Sequence, residues 1–181
     1  MVIMKSDFKA NFLSHIRIIA AHAGTGKSYL AQLHPEKYND FVCMPYKYHL
    51  AEDFDASENE SCKADPDYDL NWDYPDNYVE AIKDALSKTR DTLIIPPDPR
   101  VLHLLKNEEI PYLLCYPENT DEAKEEYRKR YVARGNTEEF LRIFIDGWEN
   151  FMNVFKMDDY GVHIVMKPSD YLADVIEPGK A

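Results

Sequence analysis

A glycine turn that ends in Gly-Lys-Ser constrains the fold of this chain more than any other feature. The run Ala21-His22-Ala23-Gly24-Thr25-Gly26-Lys27-Ser28 follows an apolar, β-branched stretch, Ile16-Arg17-Ile18-Ile19-Ala20, and leads into a helix-compatible one, Ser28-Tyr29-Leu30-Ala31-Gln32-Leu33. A strand that turns through glycines directly into a helix is the start of an alternating βα pattern, which builds parallel sheets. Glycines let successive N–H groups point into one anion-sized hollow. The following helix brings its positive N-terminal end to the same place. In that setting Ala23, Gly24, Thr25, Gly26, Lys27 and Ser28 are expected to hold the phosphates of ATP, with Lys27 reaching the β and γ groups and the Ser28 hydroxyl ligating Mg²⁺. The pattern GxxxxGK[ST] asks for glycine where Ala21 stands. A turn that merely contains two glycines and a lysine is the alternative, and the flanking strand and helix argue against it. His22 is expected to face solvent in the loop, with no acid–base role.

Five short apolar runs read as strands, Ile16–Ala20, Asp40–Met44, Thr92–Ile95, Tyr112–Tyr116 and Val162–Met166. They are continuous rather than alternating, as strands covered on both faces are. Helix-like stretches lie between them: 26–33, 76–88 with apolar residues near the 3.6 period, 100–106, 120–133 and 137–155. Gly135 suits a left-handed helix end, and Asn136 with Glu139 has the chemistry of the next helix start. The expected fold is α/β, three layers around a five-stranded parallel sheet.

At 181 residues the chain has the length of one domain with a substantial core. Its net charge of −12 argues against a duplex nucleic-acid binder, which needs a basic face. Much of the acidity sits in one run, 51–76, which contains no calcium-loop glycine after Asp65, Asp67 and Asp69. Cys43, Cys62 and Cys115 lack metal-ligand spacing. Cys43 and Cys115 read as buried small hydrophobes, and the set fits a reducing compartment. No apolar stretch approaches the ~20 residues that span a bilayer. With no signal-peptide core in the first residues, a cytoplasmic protein is expected, with no membrane partner.

Five strands with the loop after the first, and the local sequence Ala23-Gly24-Thr25-Gly26-Lys27-Ser28, resemble the P-loop nucleoside and nucleotide kinases of the adenylate-kinase-like type. The resemblance implies a single domain over 1–181, sheet order 2-3-1-4-5, an acceptor-side insertion at about 46–78 and a lid-like helical segment at about 120–136. It also implies phosphoryl transfer from ATP to a small acceptor, a nucleoside, nucleotide or related metabolite, rather than to nucleic acid. An ATPase or switch that acts on a protein partner, and a P-loop protein without turnover, remain as alternatives. The oligomeric state is not legible.

The lid-like run 124–134 carries Lys124, Arg128, Lys129, Arg130 and Arg134. Guanidinium groups match phosphate oxygens and stabilise charge that develops during transfer, so Arg128, Arg130 and Arg134 are catalytic candidates beside Lys27. The competing reading is a salt-bridged face, since Glu125 and Glu126 stand four residues before Lys129 and Arg130. Asp98, just beyond the third strand, is either a carboxylate near the attacking hydroxyl or Mg²⁺, or the N-cap of the helix that begins at Pro99. Lys47 is placed to meet an acceptor phosphate, while Trp72 and Tyr74 either stack on a base or anchor the loop. The loop 166–172 touches adenine in the kinases that this chain resembles.

Overall fold

The computed structural model describes residues 15–49 and 69–177. Its strands are β1 (Ile18–Ala21), β2 (Tyr38–Asp40), β3 (Thr92–Ile95), β4 (Leu113–Pro117) and β5 (Val162–Met166), with a short separate hairpin of Tyr48–His49 and Asp69–Leu70. The five form one all-parallel sheet in the order β2-β3-β1-β4-β5, which is the expected 2-3-1-4-5. The helices are α1 (Lys27–Leu33), α2 (Met44–Lys47), α3 (Asp76–Lys88), α4 (Pro99–Asn107), α5 (Asp121–Ala133), α6 (Glu138–Leu141), α7 (Trp148–Lys156) and α8 (Leu172–Ile176).

Side-chain alternation along the central strands sorts the core into two halves. Ile18 and Ala20 of β1, Leu93 and Ile95 of β3, and Leu114 and Tyr116 of β4 point to one face. There they meet Val79 and Ile82 of α3, Val101 and Leu105 of α4, Tyr127 and Tyr131 of α5, and Trp148 and Met152 of α7. Ile19, Ala21, Ile94, Leu113 and Cys115 point to the other face, against Leu30 of α1 and Leu172 of α8. The result is a three-layer α/β/α fold. Arg17 reaches across to cap the end of α3, with Nη1 donating to the Leu86 carbonyl at 2.9 Å and Nη2 to the Thr89 carbonyl at 2.5 Å.

β1 and β4 each shift by one or two residues from the sequence reading, to Ile18–Ala21 and Leu113–Pro117, and three differences go further. β2 covers 38–40 rather than 40–44, because it pairs with β3 only from Tyr38↔Thr92 to Asp40↔Ile94. After one last bond, Phe41 N–H to the Ile94 carbonyl, the chain leaves the sheet and Met44–Lys47 coils into α2. The apolar run Phe41–Met44 is therefore loop and helix packed beside the core. The helix expected over 137–155 is broken by a π turn, Arg142–Asp146, and by Gly147. Its N-cap is Thr137, whose hydroxyl accepts the Phe140 N–H at 3.2 Å, not Asn136. Gly135 does take the left-handed conformation, with φ 73°. Residues 50–68, with most of the acidic run and Cys62, lie outside the described residues, so the acceptor-side insertion is described only at its two ends.

Candidate functional site

β1 ends at Ala21 in ordinary strand pairing with Cys115. Among the described non-glycine residues only Glu109 has a positive φ, so Ala21 stands in a conformation that needs no glycine. The chain then turns through Gly24 (φ 77°) and Gly26 (φ 89°), both left-handed. A β-carbon on Gly24 would also lie 2.7 Å from the Tyr131 ring. Inside the turn the His22 carbonyl accepts the Thr25 hydroxyl at 2.7 Å and Lys27 Nζ at 3.3 Å.

A cleft of about 920 Å³ opens over this loop at the C-terminal end of the sheet, where open α/β sheets bind ligands. One side is made by Asp40, Cys43 and Lys47, with Pro96–Pro99 below. The other is made by Lys129, Arg130 and Arg134 of α5 and by aromatic residues of α6 and α7. Ser28 Oγ donates to Asp40 Oδ2 at 2.6 Å. Asp40 was missed by the sequence reading, which put it at the start of β2. The pairing places it at the strand's C-terminal end instead, and no local signal separates those two registers. Among the described residues no group of three or more His, Cys, Asp or Glu forms a metal cage. One carboxylate with one hydroxyl is a donor set that fits Mg²⁺ shared with phosphates, the usual way this ion is held.

The other candidates separate. Asp98 is the N-cap of α4: Oδ1 accepts the Arg100 N–H at 3.0 Å, the Arg100 guanidinium forks onto both oxygens at 3.2 and 2.8 Å, and the Tyr74 hydroxyl donates at 3.1 Å. Burial alone would raise this carboxyl, but the Arg100 hydrogen bonds outweigh it and hold the pKa below the usual range. So engaged, Asp98 is a poor general base, and of the two readings the structure takes the cap. Arg128 is not among the residues lining the cleft. It forks onto exposed Glu125, three residues before it, at 2.8 and 3.0 Å, a solvent-side ion pair other than the expected Glu125–Lys129 and Glu126–Arg130. Arg130 is a buried strut. Its Nη1 donates to the carbonyls of Gly24 (3.3 Å) and Asp170 (3.1 Å), and its Nη2 to that of Pro168 (2.6 Å). Its Nε faces Glu126 at 3.4 Å, and the guanidinium stacks 4.1 Å over Tyr171. Arg134 borders the cleft at the end of α5. Lys47 Nζ lies 5.5 and 5.8 Å from the rings of Tyr48 and Tyr74. Tyr74 is buried in the cleft wall, whereas Trp72 is 87% exposed and does not anchor the loop.

His22 reverses its expectation. It is 1% exposed, with its ring 5.6 Å from Phe144 and Phe155 and 6.0 Å from Trp148, and Tyr131 Oη lies 3.3 Å from Nε2. Burial first, and Lys27 second, push its pKa down to about 3. The unfolded chain protonates His22 near pH 6.5 and the folded one does not. Its neutral state is therefore worth nothing above that pH, and stability falls as pH drops from 6.5 toward 3. By pH 5 the loss from this group is about 2 kcal/mol. The His22 ring resonances are expected to stay constant from pH 8 to pH 5, and a titration with a midpoint above pH 5 would contradict the buried geometry.

Cys115 is buried with its thiol pushed up to about 12 by burial, as a small hydrophobe should be, while Cys43 is half-buried at the cleft. No helix among the described residues is long and apolar enough to cross a membrane. No family model matches the chain, and no curated protein matches it in sequence.

Proposed function

We propose that this chain is a P-loop protein that binds ATP with Mg²⁺ and transfers the γ-phosphoryl group to a small acceptor. The observation that carries it is the contact of Ser28 with Asp40 at 2.6 Å beside a loop turned by left-handed Gly24 and Gly26. A hydroxyl and a strand-end carboxylate of this kind are the two protein groups that hold Mg²⁺ in P-loop enzymes. When bound, the ion neutralises charge on the β and γ oxygens. Lys27 adds a second positive charge at the same oxygens, and Arg134, just past the end of α5, borders the cleft as Arg130 does. In the transfer, an acceptor oxygen bonds to the γ-phosphorus as the bond to the bridging oxygen breaks. ADP leaves, and the acceptor proton goes to solvent. A volume of about 920 Å³ holds more than a triphosphate, which favours a site that closes on two ligands.

Calorimetry with an unhydrolysable ATP analogue, with and without Mg²⁺, followed by a panel of acceptors, tests this reading. Asp40→Asn is expected to cut Mg²⁺-dependent affinity or turnover by about 10- to 100-fold and to leave Mg²⁺-free binding nearly unchanged. Equal loss in both conditions would remove Asp40 from the metal site. ATP hydrolysis that proceeds without any acceptor would replace the kinase by an ATPase acting on a protein partner.

A further inference from the structure

Away from the cleft, one edge of the sheet is open. β5 is the outermost strand, beside β4, and pairs with it without a bulge from Leu113↔Val162 to Pro117↔Met166. The Val162 N–H donates to the Tyr112 carbonyl at 3.0 Å, and the Met166 carbonyl accepts the Glu118 N–H at 3.0 Å. In a parallel ladder alternate residues serve the same neighbour. Val162, Ile164 and Met166 therefore bond to β4, and the N–H and C=O groups of His163 and Val165 point away from the sheet. Among the described residues none bonds to them. Each end of this opening is closed by its own chain. The Gly161 N–H donates to Asp158 Oδ1 at 2.7 Å, and the Lys167 N–H donates to Asp170 Oδ2 at 3.0 Å. Edge strands are ordinarily protected by a proline, a charge or a bulge. Val162-His163-Ile164-Val165-Met166 carries no proline, lysine or carboxylate, and Val165 is 55% exposed.

We infer that β5 is a dimer interface, which pairs antiparallel with β5 of a second copy about a two-fold axis at Ile164. Register selects this occupant. With the axis there, His163 of one copy faces Val165 of the other, and each such pair exchanges both of its outward bonds. An axis at His163 or at Val165 would need the N–H of Gly161 or of Lys167, and both are taken. Side chains agree, since the opposed pairs are Ile164 with Ile164, Val162 with Met166 and His163 with Val165, mostly apolar and β-branched. Charge agrees as well. Exposed Lys167 of one copy comes opposite Gly161 of the other, close to Asp159, whose side chain is 75% exposed beside Lys106. A parallel pairing would set Lys167 by Lys167 and Asp159 by Asp159. The contact is the same patch on both copies, so it closes as a dimer and makes no filament. The ladder is short, which makes the dimer a weak, concentration-dependent one. Because the joined strands run in opposite directions, the two glycine loops lie at opposite ends of the joined sheet, and the inference stands apart from what the cleft binds.

Sedimentation velocity of the full chain from about 1 µM to about 500 µM is expected to show a monomer that passes to a dimer and no further. Mild oxidation of Ile164→Cys tests the register. At the axis the two α-carbons of an antiparallel, non-hydrogen-bonded pair stand about 4.5 Å apart, within disulfide reach. A covalent dimer should form there, and far less of it in the parent or in Val165→Cys, whose twin lies on the diagonal. Val165→Pro removes an N–H that serves nothing within one copy. It should weaken the dimer at least tenfold, by rough estimate, while melting of the dilute protein stays within about 2 °C. Lys167→Glu should weaken it about threefold, and adding Asp159→Lys should restore it. A chain that stays monomeric throughout and forms no Ile164→Cys disulfide overturns the inference. So do a disulfide that prefers Val165→Cys, a dimer indifferent to Val165→Pro, or assemblies that keep growing with concentration. Should Val165→Pro fail to fold, the Ile164→Cys disulfide and the charge reversal decide the question by themselves.

Discussion

Lys27→Ala is expected to lower ATP affinity about a hundredfold while the circular dichroism spectrum and melting temperature hardly change. Lys27 borders the cleft, and its ammonium group lies 3.3 Å from the His22 carbonyl, on the inside of the turn. A charge-assisted hydrogen bond to phosphate contributes roughly 1.5–3 kcal/mol, and its loss carries through to affinity without touching packing. Calorimetric titration of parent and variant decides the matter. Equal affinities would mean that the turn is not a phosphate site, and the function proposed from it would go with it.

Arg130→Ala should have the opposite signature, a large loss of stability. In the parent the guanidinium satisfies the carbonyls of Gly24, Pro168 and Asp170 from a position that is 6% exposed. Alanine would leave those acceptors facing a cavity and would remove the Arg130 tie from α5 to the segment before α8, leaving Tyr131 to hold α5 to the glycine loop. Removing one partner from such a buried network costs about 3 kcal/mol. For a domain of this size that corresponds to a fall of about 6–12 °C in melting temperature. Arg130→Lys should recover only part of it, since an ammonium group cannot serve three divergent carbonyls with the geometry of the fork. Unchanged melting with a selective fall in kcat would instead make Arg130 the phosphate-facing lid arginine that its position in the sequence suggested.

That arginine marks the limit of what a linear reading can see. A helix carrying Lys124, Arg128, Lys129, Arg130 and Arg134 is legible, and so is its Thr120 cap, whose hydroxyl accepts the Ala123 N–H at 3.1 Å. Which cation turns inward is not. Arg130 finds Gly24 across 106 residues and Pro168 across 38. His22 shows the same limit. Nothing beside it in sequence announces Tyr131, Phe144, Trp148 and Phe155, and only packing α5 and α7 on the sheet surrounds it with them.

Legible in the linear sequence are the parallel α/β sheet, β3 and β5 to the residue, and the glycine turn at the C-terminal end of β1, whereas the strand order followed only from the resemblance to P-loop kinases. The legible features rest on local chemistry: continuous apolar runs for strands covered twice, helical periodicity between them, and glycines where the backbone must turn left-handed. Tertiary structure alone decided the last residue of β2, and with it the place of Asp40 against Ser28. The apolar run Phe41–Met44 satisfies a strand pattern as well as a loop does. Only pairing with Thr92–Ile94 on the neighbouring strand sets where the ladder stops, and that stop puts a carboxylate, rather than a phenylalanine, at the mouth of the cleft.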